Sequence, residues 1–244
     1  MTMSPRFARL IDSLSWTVAP GRCLLCGLGS DARRDLCTVC AMDLLPIEHP
    51  CPRCGLPMPP VTAGTCGRCR ASPPPFDALN AACAYADPAD LLVTALKFRK
   101  IRAAARVMAE IMVERAPADL WTDTAPTLVP VPLHFMRQWQ RGFNQSAVLA
   151  EELARLTGWP VATRGIRRRR RTPAQTGLSR NARQRNLAGA FSVEPRHPLA
   201  DVIMVDDVVT TGATLVALGR ALRRAGARRV RAWAFARTPP GGSG

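Results

Sequence analysis

Eight of the nine cysteines in this 244-residue chain form four Cys-x-x-Cys pairs between residues 23 and 69. Consecutive pairs are separated by ten, ten and eleven residues. Two such pairs supply the four thiolates of a tetrahedral zinc site. Cys-Leu-Leu-Cys-Gly-Leu at 23–28 recurs as Cys-Pro-Arg-Cys-Gly-Leu at 51–56, so the pattern predicts two zinc ribbons. The expected ligands are Cys23, Cys26, Cys37 and Cys40 for one zinc, and Cys51, Cys54, Cys66 and Cys69 for the other.

The predicted metal is structural, because four thiolates leave no open coordination position. Each ribbon is shorter than 30 residues and is too small to be held together by a hydrophobic core alone. Disulfides are the alternative, but they need an oxidising compartment, and no secretory leader is recognisable. Whether one zinc binds or two stays open at this point. The ninth cysteine, Cys83, lies in the apolar stretch 79–86 and is expected to be a buried side chain.

The sequence after the cysteines predicts a second, larger domain. Ser72-Pro-Pro-Pro75 is typical of a stiff linker. Beyond it, strand and helix patterns alternate, which favours a doubly wound α/β sheet whose ligand lies at the carboxyl ends of the strands. The expected boundaries are an N-terminal amphipathic helix at 1–19, the double zinc ribbon at 20–71, the linker at 72–75, the α/β domain at 76–238, and a flexible tail at 239–244.

The segment 202–215, Val-Ile-Met-Val-Asp-Asp-Val-Val-Thr-Thr-Gly-Ala-Thr-Leu, carries most of the functional information. A buried strand predicted at 201–205 delivers Asp206 and Asp207 to the sheet edge, and small residues then open a helix. Backbone N–H groups and hydroxyls at a helix start bind phosphate. Two carboxylates would repel that phosphate, but they suit a diol or a magnesium ion one sugar-length away. A 5-phosphorylated ribose would fit both the acid pair and the phosphate-binding turn. The alternative is that the turn only caps the helix and binds no ligand.

This segment closely resembles the phosphoribosyl diphosphate (PRPP) signature of type I phosphoribosyltransferases. The whole chain resembles the ComF/GntX family of competence-associated proteins, through the ribbons, the signature, and the segments 96–99, 129–134, 141–145, 175–178 and 183–191. The resemblance implies a type I phosphoribosyltransferase-like parallel sheet with helices on both faces, preceded by a small double zinc ribbon. It implies that Asp206 and Asp207 are the catalytic acids and hold the ribose hydroxyls, that Mg²⁺ accompanies PRPP, and that the 5-phosphate is bound by Thr210, Thr211, Gly212, Ala213 and Thr214.

Basic residues outside the signature are the candidates for binding diphosphate. We expect its contacts at Arg141, which follows the predicted strand 127–131, and at Lys97 and Arg99 near a helix end. The alternatives are that Asn144 and Gln145 only cap the next helix and that Lys97 and Arg99 only complement a helix dipole. Residues 153–193 contain ten arginines and no acid. Three interpretations of them stay open: a solvated charged loop, a cover for the diphosphate, or a track for single-stranded nucleic acid.

Composition agrees with a partner that carries phosphates. The formal net charge is +16, and only Lys97 and Lys100 among the cations are lysines. The excess of arginine suits phosphate binding, and a GC-rich genome is the alternative explanation. No apolar run is long enough for a membrane span, and we expect a cytoplasmic protein. The resemblance implies a PRPP-binding protein of DNA uptake and natural transformation, with single-stranded DNA and a competence helicase or recombination mediator as partners. The alternatives are an active phosphoribosyltransferase of nucleotide metabolism with an unidentified acceptor, and a PRPP-sensing regulator, for which no helix-turn-helix pattern is present.

Overall fold

The computed structural model describes residues 21–30, 34–60, 64–133, 142–162, 164–168, 189–194 and 199–240. The helix predicted at 1–19 and the end of the tail at 241–244 lie outside these residues. Six α-helices occur in the described part: α1 (Thr38–Met42), α2 (Gly67–Ala71), α3 (Ala89–Lys97), α4 (Arg102–Glu114), α5 (Gln145–Thr157) and α6 (Ala213–Arg224). The same part contains the strands β1 (Ala78–Ala84), β2 (Thr127–Pro130), β3 (Ile166–Arg168), β4 (Phe191–Val193), β5 (Asp201–Val209) and β6 (Arg229–Arg237).

Four of the strands form one parallel sheet in the order β1-β6-β5-β2. The central strands β5 and β6 are almost continuously apolar, because each is buried on both faces of the sheet. Side chains of these strands alternate between the two faces. Ile203, Val205 and Phe235 belong to the core under α3, α4 and α5, whereas Val202 and Met204 belong to the core under α6. The predicted α/β sheet with helices on both faces is confirmed.

Three segments differ from the elements predicted for them. The strand predicted to end at Val205 continues to Val209, because β6 extends to Arg237 and supplies a hydrogen-bonding partner that far. The short strand predicted at 160–163 is reduced to a single parallel bridge between Val161 and Leu128. The arginine-rich segment 153–193 is not all loop, since β3 and β4 form an antiparallel pair within it. Residues 169–188 lie outside the described part.

Both cysteine ribbons pack on the α/β domain. Leu36 and Leu44 of the first ribbon are fully buried in the core on the α4 side of the sheet. The second ribbon contacts the beginning of β1, where the backbone N–H of Leu79 donates to the carbonyl of Pro52 at 3.1 Å. Among the described residues, no helix combines the length and the apolar character needed to cross a bilayer.

Candidate functional site

The eight paired cysteines form two clusters with the predicted membership. In each cluster of four, the sulfur atoms all lie within 4.8 Å of one another. The Sγ atoms of Cys26 and Cys37 are 3.9 Å apart, and those of Cys54 and Cys66 are 3.7 Å apart. A tetrahedral zinc with Zn–S bonds of about 2.3 Å requires sulfur separations of roughly 3.8 Å. Both clusters therefore fit a structural zinc.

The first cysteine of each ribbon is prepared to ionise by its local backbone. Burial opposes ionisation of Cys23, but N–H groups of Cys26, Cys37 and Leu25 outweigh it and lower the pKa of the thiol to about 6. The same arrangement lowers the pKa of Cys51 to about 7. Because zinc binds thiolates, the backbone favours the ligand form of one cysteine in each ribbon before metal arrives. Burial and the neighbouring thiols raise the pKa of Cys40 and of Cys69 instead. Cys83, in contrast, is fully buried with its pKa raised to about 12, in agreement with the predicted non-ligand role.

The acid pair lies in β5 immediately beyond the end of β2. The last register pair of these two strands is Pro130 with Val205, so on the β2 side the ladder stops one residue before Asp206. On the other side β5 continues to pair with β6 as far as Val209. The neighbouring strand thus ends where the carboxylates begin, which leaves their edge of the sheet open to a ligand.

Asp206 is half-buried and is bound by the first turn of α5. The Ser146 hydroxyl donates to its Oδ1 at 2.9 Å. Burial and the adjacent Asp207 charge together raise the pKa of the Asp206 carboxyl to about 7, and the Ser146 hydroxyl and the Lys97 ammonium oppose the shift. Near neutral pH this carboxyl therefore exists in both protonation states.

Asp207 is buried and forms an ion pair with the last residue of α3. Lys97 Nζ lies 2.8 Å from Asp207 Oδ2, and the backbone N–H of Val208 donates to Asp207 Oδ1 at 2.9 Å. The ammonium offsets the charge of one carboxylate, which reduces the repulsion that the acid pair exerts on an anionic ligand. The predicted contact between Lys97 and diphosphate stays a prediction. Arg99 lies two residues beyond α3 and is exposed, and Arg141 lies outside the described residues.

The predicted phosphate loop, residues 210–214, leads into α6. Gly212 is the N-cap with φ of 76°, a left-handed conformation that favours glycine, and it has no side chain to accept the first N–H groups of the helix. The Thr211 hydroxyl accepts from the backbone N–H of Ala213 at 3.3 Å. Thr210 and Thr211 are exposed. The loop therefore combines accessible hydroxyls with the positive end of a twelve-residue helix.

One side of this loop faces the second ribbon across a pocket. Its lining includes Thr211 and Gly212 from the loop, Arg68 and Cys69 from the ribbon, and Arg220 from α6. The acid pair does not line it. Sequence reasoning gave no indication that a ribbon would adjoin the phosphate loop, because the two segments are about 140 residues apart in the chain.

Sequence reasoning also missed Ser146, whose only signal was its position two residues after a capping asparagine. Asn144 is the N-cap of α5: its Oδ1 accepts from the N–H of Ser146 at 3.1 Å, and its Nδ2 donates to the carbonyl of Val131 at 3.1 Å. Asn144 therefore caps α5, as one interpretation of the sequence expected, and the diphosphate contacts expected near it stay a prediction. Asn144 joins the end of β2 to the start of α5, and this connection brings the Ser146 hydroxyl to Asp206.

Comparison with known proteins agrees with this arrangement. Residues 14–70 match the double zinc ribbon domain, and residues 144–242 match the phosphoribosyl transferase domain. The chain is 36% identical over 223 residues to the DNA utilization protein YhgH of Salmonella typhimurium, covering 90% of this chain and 98% of that protein. It is 31% identical over 223 residues to Competence protein F of Haemophilus influenzae, covering 88% of this chain and 96% of that protein.

Among solved structures, a hypoxanthine phosphoribosyltransferase from Trypanosoma cruzi (a K68R mutant in a ternary substrates complex) is similar to 58% of this chain and 79% of its own. The sequence identity is 16% and the TM-score is 0.33, so this likeness says nothing about the ligand of the present chain. The matches to the two domains and the identity to full-length relatives carry the assignment: the chain belongs to the ComF family, in which a double zinc ribbon precedes a phosphoribosyltransferase domain.

Proposed function

We propose that this chain binds PRPP, or another 5-phosphorylated ribose, at the carboxyl edge of β5 and acts in DNA uptake. The observation that carries the proposal is the pairing of two different binding chemistries on consecutive residues. Asp206 and Asp207 offer carboxylate acceptors for vicinal hydroxyls, and the loop at 210–214 offers hydroxyls and a helix N-terminus for a phosphate. A ligand that carries a diol and a phosphate one sugar apart matches both.

The protonation state of Asp206 determines the pH range in which the edge of the sheet binds a diol. A carboxyl that holds a proton has one acceptor oxygen fewer for sugar hydroxyls than a carboxylate has. Because the pKa of Asp206 is raised to about 7, we expect ribose affinity to increase between pH 6 and pH 8. Magnesium, when bound with PRPP, would neutralise the diphosphate, and Asp206 and Asp207 have the oxygen donors it prefers.

The role in DNA uptake is supported by the relatives, which are named for DNA utilization and competence. A net charge of +16 favours association with a polyanion such as single-stranded DNA. We place the protein in the cytoplasm, because two clusters of four thiolates persist best in a reducing compartment. A competence helicase or a recombination mediator is the partner class we propose.

Turnover is the second candidate, and the presence of both acids favours it. An active phosphoribosyltransferase would displace diphosphate from C1 of PRPP through a transition state with oxocarbenium character. This chain's own groups would orient the ribose through Asp206 and Asp207 and anchor it through the loop at 210–214. Positioning and charge stabilisation would then supply the rate, and no nucleophilic side chain is needed.

Calorimetry with PRPP and Mg²⁺ tests the binding proposal. We expect binding to the wild type, at least a tenfold loss in D206N and in D207N, and no change in D123N, a matched substitution at an exposed aspartate away from the edge. Absence of binding to the folded wild type would refute the proposal. A diphosphate-release assay across purine and pyrimidine bases then separates turnover from binding alone.

A gel shift with single-stranded DNA at two salt concentrations tests the nucleic-acid part. Each phosphate contact adds about 0.7 to the salt slope for a single strand. Replacing Arg169, Arg170 and Arg171 by alanine is expected to lower that slope. An unchanged slope would exclude this arginine run from DNA binding.

A further inference from the structure

Arg237, the last residue of β6, joins the second zinc ribbon to the phosphate loop. Its side chain is 2% exposed. Nε donates to the carbonyl of Cys54 at 3.0 Å. Nη1 donates to the carbonyl of Val209 at 2.8 Å and to that of Thr210. One buried guanidinium therefore holds a metal-ligand residue on one side, and the last residue of β5 and the first residue of the loop on the other.

The charge of Arg237 lacks the usual kind of partner. Among the described residues, no carboxylate lies within ion-pair distance of it, and its hydrogen bonds go to backbone carbonyls. The acidic groups whose charge favours the guanidinium are the thiols of Cys54 and Cys69, and the Arg68 charge acts against it. A zinc ion bound by four thiolates carries a net charge of −2. The second ribbon in its metal-bound form thus supplies the counter-charge that a buried guanidinium needs.

The second ribbon is also held tightly on its other side, by the beginning of β1. Arg53 donates to the carbonyl of Phe76 at 2.5 Å, and the carbonyl of Pro52 accepts from Leu79. Gly55 lies so close to Leu79 that a Cβ at this position would come within 2.6 Å of Leu79 Cδ2. These contacts leave the folded ribbon little freedom to move relative to the sheet. They therefore fix the position of the Cys54 carbonyl as long as the ribbon is folded.

We propose that Arg237 is a positioning residue through which the second zinc site controls the conformation of the phosphate loop. The zinc-bound ribbon places the Cys54 carbonyl and balances the charge of the guanidinium. The guanidinium then holds the carbonyls of Val209 and Thr210, and these set the direction in which the following residues present their hydroxyls and N–H groups. This inference rests on the proposed function in one respect, namely that the loop's ligand is a phosphate.

The first ribbon provides an internal control, because a different arginine joins it to the sheet. Arg115, at the end of α4, donates to the carbonyls of Leu44 at 2.7 Å, Ala41 at 3.0 Å and Ala82 at 3.2 Å. These contacts match those of Arg237 in kind but end on β1 and not on the phosphate loop. We therefore expect only the second zinc site, and not the first, to affect the conformation of the phosphate loop.

Hydrogen exchange on the zinc-loaded full chain tests the coupling without any ligand. We expect amides 209–215 to exchange at least tenfold faster in R237K than in wild type. Lysine keeps the charge, but its single ammonium nitrogen cannot reach the Cys54 carbonyl and the loop carbonyls together, as the separate Nε and Nη1 atoms of the guanidinium do. R115K should leave these amides unchanged even where its melting temperature falls equally. Unchanged exchange of the loop in folded R237K would overturn the proposal. If R237K does not fold, the coupling is tested by the zinc-release experiment below, which uses only wild-type protein.

Zinc release measures the same coupling from the other direction, because linkage is reciprocal. Wild-type protein is challenged with a chelator, with and without PRPP and Mg²⁺, and freed cysteines are alkylated and identified by mass spectrometry. At equilibrium with the chelator, we expect the phosphate ligand to raise at least fivefold the chelator concentration that frees Cys51 and Cys69, and to leave that concentration unchanged for Cys23 and Cys40. Equal protection of both ribbons, or of neither while calorimetry shows PRPP bound, would overturn the proposal. If calorimetry shows no binding, the proposed function fails. The coupling is then tested without ligand, by measuring hydrogen exchange of the loop after a chelator has removed zinc from the second ribbon.

Discussion

Gly27 and Gly55 occupy equivalent positions in the two ribbons, and replacing each by alanine isolates how the second ribbon packs on the sheet. Both have positive φ, 76° and 66°, so alanine at either position incurs the left-handed cost of about 1–2 kcal/mol. They differ in their surroundings. A Cβ at Gly27 meets nothing within 4 Å, whereas a Cβ at Gly55 comes within 2.6 Å of Leu79 Cδ2.

The clash at Gly55 is not easily relieved, because Leu79 is 2% exposed and packed in the core. Overpacking of this kind costs about 1–3 kcal/mol. For a chain of this size, 1 kcal/mol shifts the melting temperature by about 2–4 °C. G55A should therefore melt roughly 2–12 °C below G27A, in thermal melts of the two zinc-loaded variants. Equal melting temperatures, with both variants retaining two zinc ions, would refute the tight docking of the second ribbon on Leu79.

Asp206, Lys97 and the two zinc clusters each affect the stability of the fold in a measurable way. The pKa of Asp206 is raised from 3.8 to about 7 in the folded protein, so its contribution to stability is full below pH 4 and is lost as pH rises through 7; D206N should flatten the dependence of melting temperature on pH between 5 and 8, and an unchanged dependence would contradict the shift. K97M leaves the Asp207 carboxylate buried without its ammonium and should destabilise by about 3 kcal/mol in urea unfolding; the double variant K97M/D207N should recover part of this loss, and strictly additive effects would exclude the ion pair. Stripping zinc with a chelator should lower the melting temperature reversibly, since structural zinc contributes about 10 kcal/mol or more to small ribbons; a melting temperature that does not respond to complete zinc removal would exclude the structural role.

Local spacing was sufficient to predict the zinc ligands. Two cysteines separated by two residues meet at one metal because a single turn brings their sulfurs together, and the glycine after the second cysteine has the positive φ that this turn requires. The strand, acid pair and loop at 201–215 were predictable for the same reason. They are consecutive in the chain, so they are also neighbours in space at the edge of the sheet.

The residues that complete the site were not predictable in this way. Ser146 reaches Asp206 across 60 residues of sequence, and Arg237 reaches Cys54 across 183. Asp207 and Lys97 each had a predicted role toward a ligand, but nothing in either segment indicated that they pair with each other. Such contacts depend on which strands are neighbours and on which face each helix packs.

The sequence by itself thus determined the chemistry available to this protein: eight thiolates in two sets, two adjacent carboxylates, and a hydroxyl-rich turn at a helix start. These depend on neighbouring residues and on backbone geometry that spans only a few positions. Only the tertiary structure determined the protonation of these side chains and which of them contact each other. The order β1-β6-β5-β2 places the end of β6 next to the loop after β5, and this brings a buried arginine between a zinc ribbon and the phosphate loop.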